Sequence, residues 1–187
     1  MTRKIISAGL LGAVVLMAWT LLVNGLFGFQ ARIDMKQIAA EEEVYQTLKT
    51  HITEPGRYAC NPPLTAENRF PDGQPAFSIF YSGISHDQAG REALVGLFVF
   101  LITPLIGAWL LSQTSERILS SYFRKVLFFT GIGLLFAFYA DLTRFGVGGY
   151  PARDAMLYFV YHVAAWTLVG VSVAWRLKPV RVGVAGR

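Results

Sequence analysis

Four stretches without a charged residue constrain this chain more than any other feature. They cover residues 5–31, 93–115, 126–140 and 155–175, which is 27, 23, 15 and 21 residues. At 1.5 Å per residue, about 20 apolar residues cross a hydrocarbon core of about 30 Å. The first, second and fourth stretches therefore suffice for one helix each. The third falls short, so its helix is predicted to run on through Asp141 to about Phe145, which places a carboxylate at membrane depth. A short re-entrant segment is the alternative; even spacing and the charged turn before the stretch favour a full span. The resulting spans are 5–29, 93–113, 125–145 and 155–175. Only 16% of residues are charged, against roughly a quarter in soluble domains, and 14% are aromatic. A soluble globule and a disordered chain are both excluded.

The first stretch also invites comparison with a cleavable signal peptide, whose apolar part is about 7–15 residues and ends at a small-residue site. Here the run continues through Leu26, Phe27 and Phe29, so a retained anchor is expected. Charge then sets the orientation. Arg3, Lys4, Arg117, Arg124, Lys125, Arg176, Lys178, Arg181 and Arg187 fall on the side of the N-terminus with only Glu116, a net +8. The other side holds eight bases and eleven acids, a net −3, and together these give the formal +5. By the positive-inside rule both termini are cytoplasmic. Residues 114–124 form an inner loop and 146–154 an outer turn. The tail 176–187 is too dilute in charge for nucleic acid and suits anionic headgroups.

Residues 30–91 are left as a small α+β extracytoplasmic cap between the first and second spans. Ile38, Tyr45, Leu48 and Ile52 predict an amphipathic helix over 35–52, with Glu41, Glu42 and Glu43 on its wet side. Pro55-Gly56 ends it, with glycine expected to supply positive φ. Short strands are predicted near 57–60 and 76–81, with a turn at Phe70-Pro71-Asp72-Gly73 between them. Cys60, the only cysteine, is expected as a half-buried strand side chain, the alternative being a reactive or intermolecular thiol. His51, Cys60 and His86 show no metal-ligand spacing, so no metal is expected.

The N-terminal anchor, the acidic outer helix, the Pro55-Gly56-Arg57-Tyr58 turn with Pro62 after it, and three further spans ending in Trp166-Thr167-Leu168-Val169-Gly170 carry a resemblance. The chain resembles a family of uncharacterised bacterial four-helix inner-membrane proteins with an extracytoplasmic cap. The resemblance implies an all-α integral membrane architecture of four transmembrane helices and supplies no reaction.

Ionisable groups at membrane depth are functional candidates by default. Asp141 lies one helical turn before Arg144, so the spacing predicts an ion pair, which Arg153 and Asp154 could extend into a clasp across Gly146 to Gly149. The other reading is a ligand or proton site. His162 lies inside the fourth span with Tyr158 and Trp166 on its face and Tyr161 beside it. Its imidazole can bond to a neighbouring helix, contact a quinone or other small ligand, ligate haem b, or relay a proton. Haem in a bundle ordinarily takes two axial side chains, and no second histidine falls in a span. Gly9 with Ala13, Gly133 with Ala137, and Gly170 with Ala174 form small-residue strips where helices approach closely, within the monomer or against a partner. Pro104 predicts a kink whose freed carbonyl Thr103 could satisfy.

No nucleotide-binding, zinc-protease or nucleophile-elbow signature is present. The leading expectation is a non-catalytic accessory, assembly or stabilising subunit of a larger inner-membrane complex or homo-oligomer. The alternative is a quinone- or haem-binding redox protein centred on His162, Tyr158 and Tyr161 with Asp141 as proton entry, and the third is a small transporter.

Overall fold

A computed structural model describes residues 2–85, 89–146 and 149–177. His86, part of the Gly146 to Gly149 turn and the tail beyond Leu177 lie outside them. The chain is mostly helical, and four helices are long and apolar enough to cross a membrane: Thr2–Leu26, Ala93–Ser112, Tyr122–Gly146 and Ala152–Arg176. Such lengths and compositions are those of a multi-pass membrane protein.

The first span is α1 (Thr2–Thr20) followed by a π-helical turn (Leu21–Leu26). Gly28, at φ +58°, breaks the run before the short α2 (Phe29–Asp34). The second span belongs to α4 (Ala89–Ser112). After α5 (Glu116–Leu119), the third is α6 (Tyr122–Phe136), a second π turn (Ala137–Asp141) and α7 (Leu142–Gly146). Helical structure thus does continue through Asp141, as the shortness of its uncharged stretch required. The fourth span is α8 (Ala152–Arg176), started by Pro151.

Within this bundle, α8 packs against both α1 and α6. Its Val169 and Val173 are fully buried with Phe129 and Leu111. The small-residue strips are filled from inside the bundle. A Cβ on Gly9 would lie 2.8 Å from the Leu105 backbone, and Ala13, Ala137 and Ala174 are buried. At the end of the bundle holding the N-terminus, Lys125 is buried and its ammonium donates to the carbonyls of Ala174 and Leu177. It thereby caps the last turn of α8, whose carbonyls have no partners within the helix. Pro104 is fully buried inside α4, but the Thr103 hydroxyl donates to the Val99 carbonyl. The carbonyl that Pro104 cannot bond belongs to Phe100, so the expected repair of the kink by Thr103 does not occur.

Residues 36–92 form a separate compact unit. Its helix α3 (Glu41–His51) starts six residues later than the amphipathic pattern suggested. Three glutamates fill its first turn, where the helix dipole favours negative charge. Strands β1 (Gly56–Cys60) and β2 (Phe77–Tyr81) pair antiparallel, with Tyr58 opposite Ile79. Gly56 enters β1 without positive φ; the left-handed glycine is Gly83, at φ +71°, packed on the Pro55 ring. Pro55 thus closes the open end of the hairpin, and Tyr58 pins the preceding turn by donating to the Glu54 carbonyl at 2.6 Å. Cys60 is exposed at the end of β1, not half-buried as expected. The predicted turn at Pro71-Asp72-Gly73 forms, with Gly73 at φ +74°.

Candidate functional site

A cluster of polar side chains forms at the end of the bundle opposite the N-terminus. Each π turn delivers one of them. A π turn carries i→i+5 bonds in place of i→i+4 and shifts the facing of the helix by one residue, about 100°. In the third span this turns Asp141 out of the α6 register and onto α8. Its side chain is fully buried, and Oδ2 lies 2.7 Å from His162 Nδ1. In the first span the π turn presents Asn24, whose amide donates to the Tyr161 hydroxyl at 3.3 Å, while that hydroxyl donates to Thr20 Oγ1 at 3.2 Å. Tyr158, one turn earlier on α8, donates to Asp34 at the end of α2.

Rings hold these groups in place. Phe29 stacks on Tyr161 at 5.4 Å and meets Tyr158 edge-on. His162 lies against Phe136 at 4.9 Å, Tyr161 at 5.1 Å and Tyr158 at 6.0 Å. Phe29 to Asp34, assigned to the cap from sequence, therefore belong with the bundle.

The ion pair predicted from the Asp141–Arg144 spacing is not formed. Among the described residues the only ionisable partner of Asp141 is His162. Arg144 is exposed, and its guanidinium carbon lies 5.2 Å from the Tyr158 ring centre and 5.7 Å from that of Tyr150. Arg153 is exposed and Asp154 half-buried in the first turn of α8, and neither reaches Asp141. The third and fourth spans are tied together through His162, deeper in the bundle than the predicted clasp.

Two oxygens of the cluster have no partner. Asp141 Oδ1 and Asn24 Oδ1 are both shielded from solvent without a hydrogen bond. A buried unsatisfied oxygen costs about 1–3 kcal/mol, so the arrangement is not the most stable one these helices could carry. Beside it lies a cavity of about 310 Å³ whose polar lining is Thr20, Asn24, Gln30, Thr103, Arg144, Tyr158, Tyr161 and His162, with Trp166 and apolar side chains around them. That volume is at the lower end for small-molecule sites and suits a single substituted ring.

A carboxylate at Asp141 accepts from Nδ1–H of His162. This tautomer leaves Nε2 with its lone pair as the remaining polar edge of the ring. Such a pair can take a proton from a ligand hydroxyl, the carboxylate stabilising the imidazolium that forms. Thr20, Asn24 and Asp34 were not singled out in the sequence, although Asn24 is the polar interruption of an otherwise apolar run. Comparison with protein-family models, curated proteins and solved structures gives no match to this chain.

Proposed function

We propose that the chain binds a quinone or quinol ring between its helices in the bacterial inner membrane and exchanges a proton with it through His162. The observation that carries this reading is the fully buried Asp141 bonded at 2.7 Å to a histidine that lines a ring-sized cavity. The unpartnered Asn24 oxygen adds an acceptor for a ligand hydroxyl. Haem fits less well. Among the described spans His162 is the only histidine, and a macrocycle needs more room than one ring. The accessory-subunit reading draws on the absence of catalytic signatures, the small cap and the small-residue strips, and of these Gly9, Gly133 and Gly170 meet neighbours within the bundle; co-purifying subunits after gentle extraction would favour it.

Trp166 lines the cavity and is nearly buried, so it reports binding. With Trp19, Trp109 and Trp175 changed to Phe, a short-tailed benzoquinol, whose hydroxyl can donate to His162 Nε2, is expected to quench Trp166 fluorescence saturably. His162→Gln is expected to weaken that binding at least about tenfold, the worth of one hydrogen bond to a polarised partner. Non-saturable quenching, or a His162→Gln variant that binds equally well, would sink the proposal.

The charge asymmetry supports a cytoplasmic N-terminus and an extracytoplasmic segment over residues 36–92. Cys60 is exposed and the only cysteine of the chain, which makes it a natural reporter. A membrane-impermeant maleimide is expected to label it in spheroplasts before lysis. Labelling only after lysis would reverse the orientation.

A further inference from the structure

Among the described residues lining the bundle cavity, Arg144 is the one permanently charged side chain. It makes no ion pair among the described residues; its contacts there are the faces of Tyr150 and Tyr158. The nearby carboxylate of Asp34 takes the Tyr158 hydroxyl instead. Two rings thus hold a guanidinium that forms no ion pair with a carboxylate of the described residues, at the wall of a pocket that also holds a proton acceptor.

We infer that Arg144 holds an anionic oxygen of the bound ring, so that the site selects the ionised form of a hydroxylated quinone over its neutral parent. This rests on the ring-binding reading above. From a ligand that enters protonated, His162 Nε2 takes the proton as the ligand O–H bond breaks and an N–H bond forms. The oxygen keeps the electron pair, and Arg144 balances the charge left on the ligand. Arginine suits this role because it stays charged and presents its donors in a planar fork.

The test compares benzoquinone with hydroxybenzoquinone, which is nearly the same size and ionised at neutral pH, by saturable quenching of tryptophan fluorescence in the purified full chain. The unmodified protein is expected to bind the anion about tenfold or more tightly. In Arg144→Gln that preference is expected to fall to within about twofold, and in Arg144→Lys, which keeps the charge, part of it returns. A preference that survives Arg144→Gln unchanged, or is absent from the unmodified protein, overturns the inference and leaves ring binding standing. Failure of both probes to bind the unmodified protein overturns both. Should Arg144→Gln not fold, competition decides: the anion must displace the neutral ring at about a tenth of its concentration, and equal displacement overturns the inference.

Discussion

His162→Leu alone is expected to destabilise the bundle by about 3–5 kcal/mol, and Asp141→Leu/His162→Leu together to recover most of that loss while binding no ligand. The single change leaves a fully buried carboxylate with neither oxygen bonded, since Oδ1 already lacks a partner and Oδ2 depends on His162. Removing one member of a buried charged pair is strongly destabilising because the other is left uncompensated; replacing both by apolar side chains of similar size is often neutral or stabilising. The surrounding span is apolar, so two leucines suit it. Thermal unfolding in detergent micelles measures the first half of the prediction and Trp166 quenching the second. A double variant as unstable as the single one would mean that the pair is a structural tie, and the functional reading would lose its basis. Recovered stability with lost binding would show a pair kept at the expense of stability, as expected of a functional site.

How much of this was legible in the sequence depends on the kind of signal. Uncharged runs report spans directly, because no water is present in the hydrocarbon core to solvate a charge. The same logic flagged Asp141, whose run was too short to cross without it. Its partner was not legible. The i, i+3 spacing pointed to Arg144, but a π turn inserts one residue's worth of rotation while leaving the hydropathy pattern intact, and that rotation aims Asp141 at α8. Asn24 went unremarked for the same reason, since its π turn sits inside an apolar run. His162 was marked as a hydrogen-bonding group for a neighbouring helix, and the structure supplies the bond. The start of α3 was misjudged because apolar spacing continues before Glu41, whereas the first turn forms where three carboxylates can meet the helix dipole.

Gly170→Val is expected to destabilise the bundle by about 3 kcal/mol, toward the upper end for overpacking a close-packed interior. The reason is reciprocal packing of α6 and α8. A Cβ on Gly170 would lie 2.6 Å from Phe129 Cβ and 3.2 Å from the Val126 carbonyl oxygen, and one on Gly133 would lie 2.7 Å from Trp166 Cβ. Each helix therefore seats an aromatic side chain on the glycine of the other, and the two rings stack at 6.2 Å. Part of the obstruction is backbone, so a new side chain must push the helices apart. His162 and Asp141 belong to those two spans, and their 2.7 Å contact would open with them, so quinone binding should fall together with the unfolding temperature. A second substitution separates spacing from a general loss of packing. Phe129→Ala alone removes a fully buried ring and should cost about 3–5 kcal/mol. In the Gly170→Val background it also removes much of the obstruction, so the pair should be less unstable than the sum by about 1 kcal/mol or more. If the two losses simply add, the glycine–aromatic contact does not set the distance between these helices.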